Sequence, residues 1–212
     1  MKSHRYLAVE GPIGVGKTSF VRMLSKELHA KAIYESVDEN PFLKRFYQDQ
    51  RNYAFQTQLF FLLSRYRQQQ EFLQQELFDQ IIISDYMFEK DRIFACLTLA
   101  DDELELYQKV YDLLSPRLVV PDAVIYLQAN AAILLQRIRK RNKDYERNLS
   151  IDYLERLIQY YNQFFFTYSE TPLLIVNTSE IDFIEKRENL EDLIRAIKRM
   201  GKGTQYYHPI DT

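Results

Sequence analysis

The sequence predicts a three-layer α/β fold in which a five-stranded parallel sheet lies between layers of helices. Apolar, β-rich runs recur along the chain, and segments with helical periodicity fill the intervals between them. Strands that alternate with helices are joined by right-handed crossovers, which produce a mostly parallel sheet covered on both faces. No linker-like or repetitive tract interrupts residues 1–212, so we expect one domain. The predicted strands are residues 6–9, 32–34, 81–84, 123–127 and 173–176.

The composition is that of an ordinary globular protein and excludes several functional classes. Hydrophobic residues make up 46% of the chain, and the formal net charge of −2 gives no chain-wide attraction to nucleic acid or to a membrane surface. No apolar run reaches the roughly 18 residues of a membrane span, and no leader precedes the first strand. The single cysteine, Cys96, cannot form an internal disulfide. We therefore expect a cytoplasmic protein that binds neither nucleic acid nor membrane.

The segment after the first predicted strand carries the strongest functional signal. Gly11 and Gly16-Lys17-Thr18 satisfy the spacing G-x-x-x-x-G-K-[ST], between an apolar strand and a helical pattern. Glycines here let backbone N–H groups converge on phosphate oxygens, and the N-terminus of the next helix attracts the same anion. A Gly-rich connector is the alternative, but three of the five glycines of the chain cluster here. The pattern predicts binding of ATP or GTP by Gly11, Pro12, Ile13, Gly14, Val15, Gly16, Lys17, Thr18 and Ser19.

Two residues are candidates for binding Mg²⁺ beside these phosphates. The Thr18 hydroxyl follows Lys17, which would itself reach the β- and γ-phosphates. Asp85 ends the third predicted strand, an arrangement that supplies a carboxylate to Mg²⁺ next to a phosphate loop. The sequence therefore predicts that Thr18 and Asp85 are the metal-binding residues.

Glu35 follows the second predicted strand and is a candidate general base. In open parallel sheets ligands bind at the carboxyl ends of the strands, so this carboxylate would face a substrate near the γ-phosphate. A carboxylate in that place can accept a proton from an attacking hydroxyl group. A solvated loop glutamate, or a cap for the helix that begins near Pro41, explains its position equally well.

Polar side chains on two predicted helices form a second candidate set. Gln58 and Arg65 are seven residues apart on the long helical pattern 52–77, so they share a face and could hydrogen-bond to the edge of a base. Solvent exposure is the more common fate of such residues. Asp91 lies where a loop enters a helix, and it could equally stabilise the N-terminus of that helix.

A basic run at residues 134–146 predicts a lid. Arg137 and Arg141 are spaced i, i+4, so both could close on one phosphate group. A solvated basic face and a nucleic-acid patch are the alternatives, but acidic residues follow directly and no aromatic residue interleaves the cluster. We expect a mobile lid at about residues 137–147 over ATP.

Two other segments lead to structural expectations only. The aromatic helical pattern 151–168 is typical of core or subunit packing. The tail 201–212 has little apolar periodicity, so we expect it to be flexible or to pack on a partner.

With these motifs in order, the sequence resembles the deoxyribonucleoside kinase family, and within it the bacterial deoxyguanosine and deoxyadenosine kinases. The matching motifs are Glu35-Ser36-Val37 after the second strand, Phe55-Gln56-Thr57-Gln58, and Leu63-Ser64-Arg65. The resemblance runs from the first strand to about the final helix. It implies a P-loop kinase fold, ATP as phosphate donor with Mg²⁺, a small deoxynucleoside as substrate, and a homodimer.

The resemblance also implies roles for individual residues. Glu35 would take the proton of the sugar 5′-hydroxyl, and Gln58 would bind the base, with Gln56 as the alternative if the register differs. Lys17 would neutralise the transferred group. The other implied roles are Tyr47 and Glu146 at the 3′-hydroxyl, Arg65 and Asp91 around the base, and Arg137 and Arg141 in the lid.

The chain departs from the family pattern at two places. Many members have an acid-Arg-Ser motif after the third strand, but this chain has Asp85-Tyr86-Met87 and so lacks that arginine. The bacterial deoxyguanosine kinases resemble this Asp-Tyr form, which favours a purine substrate. The lid sequence Arg141-Asn142-Lys143 replaces the common Arg-Gly-Arg, which leaves the role of Lys143 open.

The leading hypothesis is an ATP-dependent 5′-kinase of deoxyguanosine or deoxyadenosine that acts in nucleotide salvage. A nucleoside monophosphate kinase of the thymidylate type is the first alternative, although it would need a basic pocket where this chain has Glu35 and Tyr86. A nucleotide-switched binding module is the second alternative, but a switch has no need for Gln58, Arg65 and Glu146 together.

Overall fold

The computed structural model describes residues 5–74, 81–115, 118–179, 181, 183 and 186–208. Helices flank a parallel sheet, and two short 3₁₀ helices lie at Val37–Glu39 and Asp144–Glu146. The strands are β1 (Tyr6–Glu10), β2 (Lys31–Ile33), β3 (Ile82–Ser84), β4 (Ala123–Gln128), β5 (Leu173–Asn177) and β6 (Thr204–Tyr207). The helices are α1 (Lys17–Glu27), α2 (Leu43–Gln48), α3 (Gln50–Gln74), α4 (Lys90–Thr98), α5 (Asp101–Leu114), α6 (Ala131–Arg141), α7 (Ile151–Thr167) and α8 (Arg187–Lys198).

The sheet of the described residues has six strands in the order β2-β3-β1-β4-β5-β6, and all its pairings are parallel. The central strands β1 and β4 are almost wholly buried, as expected when helices cover both faces of a parallel sheet. The α/β prediction is therefore confirmed. In this order β2, β3 and β1 lie side by side. The carboxyl ends of these three strands are therefore close together at the same end of the sheet.

The prediction of five strands is wrong because β6 lies in the segment that we expected to be a flexible or partner-bound tail. β6 pairs in register with β5, from Leu173 opposite Thr204 to Val176 opposite Tyr207. It is an edge strand with a single buried side chain, Tyr207, whose hydroxyl donates to Asp192 Oδ2 at 2.7 Å. A strand that is buried at one position has no apolar alternation for sequence reasoning to detect. Residues 209–212 lie outside the described residues.

The long helix α3 turns an unexpected face to the interior. The sequence pattern 52–77 predicted its position, and residues 75–80 of that pattern lie outside the described residues. The apolar side chain of Leu63 is 46% exposed. Gln58, Arg65 and Gln69 are instead buried on the same face as Leu62. A helix that buries polar side chains needs partners for them, and these partners define the site.

The aromatic residues of α7 divide between core and surface. Tyr161 and Phe165 are buried, and their rings stack on Tyr126 of β4 with centroid distances of 6.0 and 4.2 Å. Phe166 is 90% exposed. Within the part of the chain that the structure describes, no helix is both long and apolar enough to cross a membrane.

Candidate active site

The loop between β1 and α1 packs directly on α6. Gly14 has φ +85°, and a Cβ atom there would lie 2.9 Å from the carbonyl oxygen of Leu134 and 2.8 Å from Cγ1 of Ile138. An L side chain is therefore excluded both by the backbone conformation and by the neighbouring helix. Glu10 anchors the start of the loop: its buried carboxylate accepts from the Gly11 N–H at 3.0 Å.

Lys17 lies at the first position of α1 and turns back over the loop. Its Nζ atom donates to the carbonyl oxygens of Gly11 at 2.6 Å and Pro12 at 3.3 Å. Burial and the nearby charge of Lys90 lower the pKa of Lys17 to about 8. The ammonium group therefore lies in a site where an added anion would be strongly favoured.

Thr18 and Asp85 meet at the end of β3, as the sequence predicted. The Thr18 hydroxyl donates to Asp85 Oδ2 at 2.6 Å, and Asp85 Oδ1 accepts from the Glu35 N–H at 2.8 Å. A hydroxyl and a carboxylate are hard oxygen donors that suit Mg²⁺, which takes few protein ligands and completes its shell with phosphates and water. No group of three or more His, Cys, Asp or Glu side chains with metal-binding geometry occurs among the described residues. This donor set fits a metal that is bound together with phosphates.

Glu35 is held by two cations at the edge of the cleft. Its side chain is 10% exposed; Oε1 accepts from Arg65, and Oε2 accepts from Lys90 Nζ at 2.6 Å. Burial alone would raise the pKa of Glu35, but Arg65 and Lys90 outweigh it and hold the pKa well below its usual range. Glu35 is therefore an ionised carboxylate inside the cleft, not a solvated loop residue.

Arg65 is shared between Glu35 and Asp91. Its guanidinium donates to Asp91 Oδ1 as well as to Glu35, and it is 3% exposed. Burial raises the pKa of Asp91 well above its usual range, although Arg65 opposes the shift. Asp91 is fully buried, and its Oδ2 atom has no hydrogen-bond partner among the described residues. Asp91 therefore binds Arg65 on the interior side and does not itself line the cleft.

Gln58 faces the same cleft from about two helical turns nearer the N-terminus of α3. It is 3% exposed, and its Nε2 atom donates to Thr98 Oγ1 at 3.3 Å. Gln56, the alternative in the other register, lies on the exposed face of α3. The Phe61 ring lies 5.0 Å from the guanidinium carbon of Arg65, so an aromatic face also borders this pocket.

Tyr47 of α2 and Glu146 of the 3₁₀ helix after α6 both line the cleft. Glu146 is buried and accepts from Arg141 NH2 at 2.7 Å, so these two predicted site residues form an ion pair with each other. Tyr145 stacks on the Tyr47 ring at 5.6 Å. Burial raises the pKa of Tyr47 well above its usual range, so its hydroxyl stays protonated.

The two lid arginines have different partners in this structure. Arg137 NH1 donates to the carbonyl oxygen of Val15 at 3.1 Å, and NH2 donates to that of Thr178 at 2.9 Å. Arg141 pairs with Glu146 instead. Lys143 Nζ lies 2.9 Å from Asp38 Oδ1, which joins the lid segment to the loop after β2. Arg137 and Arg141 both line the cleft, but they do not converge on one point.

A single cleft of about 1050 Å³ contains most of these groups. That volume lies at the upper end of ordinary ligand pockets, which run to about 1000 Å³, and leaves room for two small ligands. The predicted residues that line it include Lys17, Thr18, Glu35, Tyr47, Gln58, Arg65, Asp85, Arg137, Arg141 and Glu146.

Sequence reasoning missed Lys90 and the aromatic borders of the cleft. Lys90 is the first residue of α4 and stands 55 residues from its partner Glu35, so no local pattern connects them. Phe61 and Phe94 line the cleft but lie in helices whose aromatic residues are typical of core packing. Lys90 lies within four consecutive charged residues, 89–92, and nothing in that run distinguishes it from a solvated lysine.

The comparisons with known proteins agree with this geometry. A sequence model described as deoxynucleoside kinase matches residues 7–201. Deoxyguanosine kinase of Bacillus subtilis (strain 168) is 36% identical over 208 residues, covering 94% of this chain and 99% of its own. Deoxyadenosine kinase of Dictyostelium discoideum is 34% identical over 195 residues, covering 90% of this chain and 78% of its own.

A solved structure is similar over nearly the whole chain. The structure of deoxyadenosine kinase from M. mycoides with the products dCMP and a flexible dCDP bound superposes with a TM-score of 0.80 at 26% identity. The match covers 91% of this chain and 98% of the other. From these matches, the chain belongs to the deoxynucleoside kinase family.

Proposed function

We propose that this protein transfers the γ-phosphoryl group of ATP to the 5′-hydroxyl of a purine deoxyribonucleoside, deoxyguanosine or deoxyadenosine, in nucleotide salvage. The observation that carries the proposal is that Glu35 and Lys17 line the same cleft. One is an ionised carboxylate and the other a buried cation over a phosphate-binding loop. A proton acceptor and a phosphate site in one cleft are what transfer to a hydroxyl group requires.

Glu35 acts as the proton acceptor. A carboxylate has about four lone-pair sites, and Arg65 and Lys90 use one on each oxygen, so a substrate hydroxyl can still bind. The lowered pKa keeps Glu35 ionised at neutral pH but makes it a weak base in the ground state. It therefore orients the hydroxyl first and takes the proton as the bond from the 5′-oxygen to phosphorus forms, when that proton becomes acidic.

The phosphate loop and the lid bind the transferred group. The amides of residues 11–19 and the ammonium group of Lys17 stabilise the charge on the β- and γ-phosphates. Arg137 and Arg141 also line the cleft, and they would close over the triphosphate. Most of the rate enhancement then comes from positioning and charge stabilisation.

Thr18 and Asp85 would hold Mg²⁺ together with the phosphates. When bound, this ion would neutralise negative charge on the phosphates. Their hydrogen bond at 2.6 Å brings the two donor oxygens to one point, which supports the assignment.

Gln58 and Arg65 read the base, while Tyr47 and Glu146 bind the sugar. Both base residues are buried on the cleft side of α3, so an incorrect base would leave buried polar groups unpaired. Asp91 acts as the support of Arg65. At the sugar, Glu146 accepts from the 3′-hydroxyl, and the Tyr47 ring disfavours a 2′-hydroxyl group.

The preference for a purine rests on two observations. The relatives reported above are named deoxyguanosine kinase and deoxyadenosine kinase. In addition, Tyr86 stands where many family members have an arginine, and it is completely buried.

We also propose that the protein is a cytoplasmic homodimer of single-domain subunits. Apolar side chains of α3 and α5, among them Leu63, Leu106 and Leu113, are 46%, 52% and 76% exposed and would be covered in a dimer. Light scattering on the purified protein gives the mass directly. A monomer at micromolar concentration would contradict this part of the proposal.

The function is tested by a panel of acceptors with ATP and Mg²⁺. Deoxyguanosine, deoxyadenosine, deoxycytidine and thymidine are assayed in parallel, together with dGMP, thymidylate and a reaction without acceptor. We expect a 5′-monophosphate from deoxyguanosine or deoxyadenosine at the highest kcat/KM. Phosphorylation of the monophosphates alone would favour the alternative kinase, and hydrolysis that is indifferent to the acceptor would favour a nucleotide switch.

A further inference from the structure

Lys90 is a buried cation in direct contact with the proposed base. Its Nζ atom lies 2.6 Å from Glu35 Oε2, and its side chain is 7% exposed. Lysine is almost never buried unless it is paired, because taking an ammonium group out of water costs several kcal/mol in a real protein. The Phe94 ring, 5.6 Å from Nζ, covers the side chain from another direction. The contact with Glu35 is therefore a fixed ion pair inside the cleft.

Lys90 and Arg65 hold the two oxygens of Glu35 from different helices. Arg65 comes from α3 and contacts Oε1, whereas Lys90 is the first residue of α4 and contacts Oε2. One donor on each oxygen fixes the plane of the carboxylate as well as its position. A single donor would leave the carboxylate free to rotate about its final bond.

Lys90 adds a positive charge on the Glu35 side of this cluster. Glu35 and Asp91 carry two negative charges when both are ionised, and they share the single guanidinium of Arg65. Lys90 supplies the second positive charge, and it contacts Glu35 rather than Asp91. Its charge also reaches Lys17, whose pKa it lowers. Lys90 thus contacts the proposed base and lines the same cleft as the phosphate loop.

Position 86 cannot supply this charge. Many family members have an arginine directly after the acid of the third strand, but here the residue is Tyr86, which is 0% exposed. The Tyr86 ring lies 5.9 Å from the guanidinium carbon of Arg65 and so packs on the Arg65 side of the cluster. The cation at the carboxylate comes instead from the start of the next helix.

We propose that Lys90 is a positioning residue that orients Glu35 toward the 5′-hydroxyl of the substrate. The inference rests on the proposed function, because it gives Lys90 a role only through Glu35. Lys90 is not itself required to bind ATP or the nucleoside.

The first test compares K90M and K90R with the wild type in steady-state kinetics. K90M should lower kcat about 10- to 100-fold, while KM for ATP and for the nucleoside changes less than about threefold. K90R, which restores the charge and an N–H donor, should recover most of the lost kcat. K109M is the matched control, because Lys109 forms an ion pair of 2.7 Å with Glu105 on the exposed surface of α5. It should leave kcat unchanged.

A double-mutant cycle with E35Q separates positioning from general damage. If Lys90 acts through Glu35, K90M should change kcat less than about twofold in the E35Q background. Losses that multiply in the double variant would overturn the proposal, and so would a K90M enzyme with wild-type or increased kcat. If K90M does not fold, K90Q replaces it in the cycle with the same expected coupling.

The two proposals fail in different ways. If E35Q loses activity but K90M does not, the role of Lys90 is wrong and the kinase mechanism stands. If E35Q turns over like the wild type, or no deoxynucleoside is phosphorylated, the proposed function itself is wrong.

Discussion

The phosphate half and the nucleoside half of the cleft are built in different ways. The phosphate half consists of one continuous segment, residues 11–19, whose conformation is set by glycines and by contact with α6. The nucleoside half takes side chains from widely separated positions, among them Glu35, Gln58, Arg65 and Glu146. Its geometry is set by ion pairs between buried groups.

Because the two halves are built differently, different substitutions should disrupt each of them. A backbone site tolerates many side-chain changes but fails when the path of the chain is altered. A site of paired buried charges fails when one partner is removed, because the remaining charge is then uncompensated. Variants in the two halves should therefore affect ATP binding and nucleoside chemistry separately.

The largest effect is expected for E35Q in the nucleoside half. Removal of a general base typically lowers the rate by about 10²- to 10⁴-fold, so kcat should fall by that factor while the Kd for ATP stays within about threefold. Steady-state kinetics and equilibrium binding of ATP measure the two quantities. E105Q, which changes an exposed glutamate of α5, is the control. If E35Q also bound ATP more weakly, that result would contradict the separation of the cleft into two independent halves.

G14A should damage the phosphate half selectively. A Cβ atom at Gly14 would collide with α6, and displacement of a binding loop by about 1 Å can cost about 100-fold. We expect the affinity for ATP to fall about 100-fold while the deoxynucleoside still binds, as measured by calorimetry with each ligand. G203A is the matched control, because Gly203 has φ +80° with no atom near the added Cβ. Equal losses in both variants would contradict the steric argument.

E146Q should act on the sugar. Loss of a charged hydrogen-bond partner costs about 1–3 kcal/mol, so KM for the deoxynucleoside should rise about tenfold with little change in KM for ATP. A 2′,3′-dideoxynucleoside lacks the 3′-hydroxyl and should therefore be almost equally poor with the wild type and with E146Q. A full additional loss with that analogue would show that Glu146 does not bind the 3′-hydroxyl.

The smallest effect is a pH dependence of ATP binding. The pKa of Lys17 is lowered to about 8, so the lysine loses its charge as the pH rises through that value. Bound phosphates favour the charged form of Lys17. The affinity for ATP should therefore fall by about fourfold between about pH 7 and 8.5. The KM for the nucleoside should stay flat over this range. In K17R the decline should disappear, since arginine remains charged; a persistent decline would assign it to another group.

The same division explains what could be predicted from the sequence. Residues 10–19 are contiguous, so their spacing alone predicts a phosphate site, and Asp85 is predicted beside it because it ends an apolar strand. The residues themselves left Glu35, Gln58 and Arg65 undecided, because nothing local distinguishes a solvated polar residue from one buried by the fold. The resemblance to a family was needed to select them.

Other features could not be predicted for equally physical reasons. The pairing of Lys90 with Glu35 connects α4 to the end of β2 across 55 residues. Arg141 was expected at a phosphate, and in the structure it pairs with Glu146. This pairing could not be predicted, because a basic run does not reveal which nearby acid will be buried beside it. The strand β6 was missed because it buries one side chain only.

The proposed mechanism requires Glu35 and the triphosphate held by residues 11–19 to converge on one sugar oxygen. The most direct measurement is a crystal structure with deoxyguanosine or deoxyadenosine and a non-hydrolysable ATP analogue bound together. We expect the 5′-oxygen at hydrogen-bond distance from the Glu35 carboxylate, about 2.6–3.2 Å, and in line with the γ-phosphorus. A 5′-oxygen that contacts another group and lies out of reach of Glu35 would contradict the proposed mechanism.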